Sequence, residues 1–107
     1  MPDPLAIDIR TDLWPIVRDI LHRHVPDREV WAFGSRVQGR AKRYSDLDLA
    51  IISDTALPIS TLARLADDFS ESDLPWRVDL VDWATTGAAF RQIIERQKIV
   101  IQHRAIA

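Results

Sequence analysis

Apolar residues recur along the chain with two different periods, and the alternation between those periods predicts a layered α/β (α+β) fold. From about Thr11 to His24, the residues Leu13, Trp14, Ile16, Val17, Ile20 and Leu21 fall at helical spacing. Thr11 is placed to cap the first turn, and Pro15 lies close enough to the start to be accommodated. Pro26-Asp27 interrupts this helix, and Glu29 to Phe33 reads as a strand rich in aromatic and β-branched residues. A second apolar run opens at Asp46-Leu47-Asp48 and ends near Ile52. After a loop over Ser53 to Leu57, Pro58 suits the first position of a helix reaching about Glu71. Its buried stripe is expected at Ile59, Leu62, Leu65, Ala66 and Phe69, with Asp67 and Asp68 as solvated charge. Trp76 to Val81 predicts a third strand, in which Val78 and Leu80 face one way and Asp79 and Val81 the other. Thr85 or Thr86 begins a last helix with Phe90, Ile93 and Ile94 on its core side, and Lys98 to Ile101 closes the chain as a strand. Met1 to Ile9, with two prolines, is expected to be an irregular lead-in. The order helix, strand, short helix, strand, helix, strand, helix, strand predicts a small mixed β-sheet flanked by helices.

Composition narrows the scale and the setting. At 107 residues the chain is expected to be a single domain, 1–107, with one core. An apolar fraction of 47% with only three glycines argues for a compact protein and against disorder. A formal charge of -2 argues against direct nucleic-acid binding driven by bulk charge. There is no cysteine, hence no disulfide framework, and the N-terminus lacks a secretory pattern, so cytoplasmic residence is the expectation. No apolar run reaches the length that spans a bilayer, so no membrane association is expected.

The chemistry is concentrated between Phe33 and Ile52. Side chains alternate along a strand, so Asp46 and Asp48 point to one side while Leu47, Leu49 and Ile51 point to the other. Two carboxylates in one small volume repel and raise each other's pKa unless a cation lies between them, and their hard oxygens suit magnesium or manganese. Upstream, across a ten-residue spacer, Gly34-Ser35 ends the preceding strand. Gly34 lets the backbone approach a phosphate closely, and Ser35 can cap the following turn or donate its hydroxyl. Arg36, next to that turn, is a candidate contact for a triphosphate. The two halves describe a triphosphate cradle facing a metal clamp.

A Gly-Ser turn, a ten-residue spacer and Asp-x-Asp resemble the signature of the nucleotidyltransferase superfamily, which includes the DNA polymerase beta-like enzymes. Gly34-Ser35-Arg36-Val37-Gln38-Gly39 and Ser45-Asp46-Leu47-Asp48-Leu49 are similar to the forms found in its smallest branch, the minimal nucleotidyltransferase (MNT) proteins. More weakly, FRQIIERQKIVIQ resembles that branch's closing helix and strand. The resemblance implies a third carboxylate at Asp79, and the alternation of β-strand faces agrees, since Asp79 is the odd polar residue on an apolar face. It implies a polymerase beta-like palm fold and transfer of a nucleotide, AMP from ATP above others, to a hydroxyl. Asp46, Asp48 and Asp79 would be catalytic and would hold Mg2+ or Mn2+, with Asp79 acting as, or assisting, the general base, while Gly34, Ser35 and Arg36 would bind the nucleotide. The implied partner is a helical HEPN-type toxin, for which this chain would be the antitoxin. Two other readings stand beside it: a non-catalytic nucleotide-binding subunit that neutralises its partner by occlusion, and a small-molecule, aminoglycoside-like nucleotidyltransferase. The absence of a second domain to contain a small acceptor weighs against the latter.

The remaining polar residues carry blander expectations. His22 and His24, two apart on a helix, face different directions and read as surface histidines rather than metal ligands. Arg40, Lys42 and Arg43 belong to a solvated or partner-facing loop, where Tyr44 could stack on a base. Asp82 has the opposite parity to Asp79 and is expected to cap a turn.

Overall fold

The structure is a computed structural model that describes residues 7–105, so most of the expected lead-in lies outside the described residues. The elements follow the expected order. Helix α1 spans Trp14–His24, β1 Glu29–Phe33, β2 Leu47–Ile52, α2 Ile59–Glu71, β3 Val78–Asp82, α3 Ala88–Gln97 and β4 Ile99–Gln102. Short 3-10 turns occupy Ser35–Val37 and Trp83–Thr85. Helix α1 starts three residues after Thr11, which caps nothing: Leu13 is the N-cap, without a side-chain bond, and Pro15 lies in the first turn. Likewise Gly87, rather than Thr85 or Thr86, precedes α3, because Thr85 belongs to the 3-10 turn and both threonine hydroxyls donate to the carbonyl of Asp82.

The four strands are ordered β3-β2-β1-β4. Strand β1 pairs antiparallel with β2 and with β4, while β2 and β3 run parallel across the α2 connection, so the sheet is mixed. Its first face carries Val30, Ala32, Leu47, Leu49 and Ile51, which pack with Val17 and Leu21 of α1 and Leu65 and Phe69 of α2. Leu47, Leu49, Ile51 and Leu65 are wholly buried, each contributing about 1.5–3 kcal/mol. Helices α1 and α2 are also tied at the surface, where Asp68 accepts from Arg23 at 3.0 Å and meets the His24 ring at 2.5 Å. Asp68 is thus more than solvating charge.

The second face is covered more thinly, by Ile94 of α3 against Trp31, Phe33 and Ala50. Only one residue of α3 is fully buried; Phe90 and Ile93, expected on its core side, are 42% and 46% exposed. On α2, Ile59 and Ala66 are exposed, leaving Leu65 and Phe69 as the buried stripe with Leu62 packed against it. The difference on α3 has a simple origin: no further layer lies outside that helix among the described residues to bury its outer flank.

Candidate active site

Asp48 lies in β2 between two register partners, Phe33 of β1 and Asp79 of β3. Parallel pairing of β2 with β3 therefore sets the two carboxylates side by side on the same face, the one carrying Ala50 and Val81. Asp46 precedes β2, and the next residue fixes its position, since the Leu47 N–H donates to the Arg77 carbonyl at 2.9 Å. Asp46 lies close enough to Asp79 to raise its carboxyl, and all three carboxylates are half-buried.

The electrostatics of this cluster are unfavourable without a cation. Burial, then the charges of Asp79 and Asp46, push the Asp48 carboxyl up to about 6. Burial and the nearby Asp46 raise Asp79 as well, against the opposing pull of Arg77. Carboxylates this close favour retaining a proton, and a divalent cation would take that proton's place. The donor set, all carboxylate oxygen, fits magnesium or manganese. Among the described residues no three acidic or imidazole side chains close into a cluster able to enclose an ion unaided. The expected trio thus shares a face without forming a finished cage, and a cation held there would draw its other ligands from water or phosphate.

The Gly-Ser turn abuts the carboxylates. Gly34 has φ 83, a left-handed conformation that favours glycine, and a Cβ added there would lie 2.1 Å from Asp48 Oδ2. The turn is pinned on both sides: the Gly34 carbonyl accepts from the Val37 N–H at 3.1 Å, and the Gly34 N–H donates to Gln97 Oε1 at 2.9 Å. Ser35 follows, half-buried, at the head of the 3-10 turn.

Arg36 departs from expectation. Its side chain leaves the turn for the interior and is 5% exposed. Its Nε donates to the Ser45 carbonyl at 2.9 Å and its Nη atoms to the carbonyls of Asp8 and Arg43 at 2.6 and 3.4 Å, while the guanidinium lies 4.3 Å from the Trp76 ring centre. With these donors committed to backbone, Arg36 is a structural staple between residue 8 and the loop ahead of Asp46, and its side chain is directed inward, not along the turn where a triphosphate contact was expected. Burial lowers its pKa, and the charges of Asp8 and Asp46 oppose that.

Asp82 behaves as its parity requires. It caps the turn after β3, accepting from the Ala84 N–H at 3.3 Å and from the Leu57 N–H at 2.9 Å. His24 is engaged with Asp68, away from the carboxylate face. The residue that sequence reasoning missed is Gln97: its partner Gly34 is remote in the chain, and a glutamine at a helix end gives no local signal.

Known proteins resemble this chain in sequence and fold. The family model described as polymerase beta, nucleotidyltransferase, matches residues 17–106. A probable protein adenylyltransferase MntA of Haemophilus influenzae is 58% identical over 98 residues, which cover 92% of this chain and 86% of that one. A crystal structure of a toxin-antitoxin with AMP-PNP superposes with a TM-score of 0.69 at 27% identity, covering 81% of this chain and 70% of its counterpart. The structure of a tri-AMPylated HEPN toxin of Shewanella oneidensis with its MNT antitoxin superposes with a TM-score of 0.64 over 86% of this chain and 71% of that one; at 22% identity it shows the fold alone. With the family model spanning nearly all the described residues and a relative of this identity, the chain belongs to the polymerase beta nucleotidyltransferase family.

Proposed function

We propose that this chain transfers AMP from ATP to a hydroxyl of a helical toxin partner of the HEPN type, and acts as that partner's antitoxin. The observation that carries the reading is the register of Asp48 with Asp79 beside a Gly34 whose backbone touches Asp48. The MntA relative, named a probable protein adenylyltransferase, supports the reaction, and the toxin-antitoxin structure with AMP-PNP supports both the nucleotide and the kind of partner. Among the described residues no helix is long and apolar enough to cross a membrane. This reading takes the cytoplasm, where ATP is abundant, as the compartment.

In this reading Asp46, Asp48 and Asp79 would hold magnesium or manganese. Bound there, the ion would supply positive charge against the phosphate oxygens as charge develops in displacement at the α-phosphorus. Gly34 and Ser35 would orient the outgoing phosphates. Asp79, in register with Asp48 on the same face, would be placed to accept, or to help accept, the proton from the attacking hydroxyl. The new bond joins acceptor oxygen to α-phosphorus, the bond to the pyrophosphate oxygen breaks, and the products are adenylylated acceptor and pyrophosphate.

The test is co-expression with a helical HEPN-type protein, followed by intact mass measurement and label transfer from α-labelled ATP. One or more adenylyl groups are expected on the partner, and none with Asp46→Ala or Asp48→Ala. A stable complex with unmodified partner would replace this reading by neutralisation through occlusion.

A further inference from the structure

We propose that Gln97, the last residue of α3, is a positioning residue for the nucleotide site, holding the Gly34-Ser35 turn at its working distance from Asp48. The inference rests on the proposed nucleotidyl transfer and concerns how the site keeps its shape. Three observations carry it. The Gln97 amide oxygen accepts from the Gly34 N–H at 2.9 Å, and this contact is half-buried. Gly34 is held in a left-handed conformation with no room for a side chain before Asp48 Oδ2, so a small rotation of this peptide moves the turn into or away from the carboxylate. One residue earlier, Phe33 packs edge-to-face against Phe90 of the same helix, ring centres 5.8 Å apart. Helix α3 thus braces the Phe33-Gly34 segment at two points, by an aromatic contact and by a hydrogen bond.

The chemistry of the bond defines the role. A Gly34 N–H that donates to Gln97 is not offered to an incoming phosphate, so Gly34 serves by letting the backbone approach closely and the hydrogen bonds to phosphate begin at Ser35. The peptide is fixed from both sides, since the Gly34 carbonyl accepts from Val37. A turn immobilised before the nucleotide arrives loses less conformational freedom on binding, so Gln97 acts through affinity and not through the chemical step.

The test uses the full chain with Gln97→Met, which keeps length and removes the acceptor, and Gln97→Glu, which keeps an acceptor oxygen. In Gln97→Met the Gly34 amide resonance shifts and its hydrogen exchange accelerates. The KM for ATP rises about three- to tenfold, the equivalent of one net hydrogen bond, while kcat stays within about twofold. Gln97→Glu retains the protection of the Gly34 amide and most of the affinity. An unchanged Gly34 amide in Gln97→Met, or a KM that stays level or falls, overturns the proposal. So does an equal loss in both variants accompanied by equal losses of melting temperature, which marks a merely structural residue. If the unmodified chain transfers no AMP, the proposed reaction fails, but Gly34 exchange and titration with ATP still decide the role of Gln97.

Discussion

Replacing Asp48 by Asn should make the ligand-free protein more stable at alkaline pH while removing its activity. In the folded chain, burial and the neighbouring Asp79 and Asp46 raise the Asp48 carboxyl from 3.8 to about 6. A folded-state pKa above the unfolded one favours the protonated form, so this group's stabilising contribution is complete below about 3.8 and is lost as pH rises through about 6. Each pH unit between the two values corresponds to about 1.36 kcal/mol, which gives about 3 kcal/mol in total. Asp48 is only half-buried, so solvent screening reduces the expected effect to about 1–2 kcal/mol. A carboxamide cannot ionise, so Asp48→Asn should gain that amount over the unmodified chain at pH 8, and close to nothing at pH 4, where Asp48 is already protonated in the fold. The assay is urea denaturation of both proteins at the two pH values with chelator present. An equal gain at both pH values, or none at pH 8, would refute the claim that uncompensated carboxylate charge strains this site. Excess magnesium should narrow the gap at pH 8, because a bound cation relieves the same repulsion in the unmodified chain.

Gly34→Ala places a Cβ 2.1 Å from Asp48 Oδ2 at a φ of 83, so label transfer should fall to background and stability by about 1–2 kcal/mol for the left-handed conformation alone; a variant with the native transfer rate would remove the close approach from the account. Arg36→Met leaves carbonyls of Asp8, Arg43 and Ser45 without their donor, and denaturation should show a loss of about 2–4 kcal/mol. The KM for ATP, measured where that variant is still folded, should stay within a few-fold of the native value; a large rise in KM at full stability would return Arg36 to the phosphates.

What the sequence made legible was whatever depends on short periods. The bounds of β1 follow from its aromatic and β-branched content after Pro26-Asp27, and the facing of Asp48 and Asp79 and the capping role of Asp82 follow from alternation along single strands; each holds to within a residue or so. The inward course of Arg36 was not legible because it depends on Trp76 and on the Asp8 carbonyl, neither of which leaves a trace beside it in the chain. Phe90 and Ile93 have the spacing of a buried stripe, but burial requires something on the far side, and helical periodicity does not report how many layers a fold has. Thr11 has cap chemistry at a place where α1 starts later, at Trp14. The Gln97 bond joins two stretches remote in the chain, brought together by the pairing of β4 with β1 and the packing of α3 on β1.

The parallel pairing of β2 with β3 also bears on when this protein becomes competent. Asp48 and Asp79 line up only after the chain has passed through the whole of α2 and returned, a closure that is slow relative to local turns and hairpins. A ribosome-bound chain that has exposed Gly34, Asp46 and Asp48 still lacks Asp79. If the proposed site is right, nucleotide capture waits on completed folding, and an unfinished copy is silent instead of misdirected.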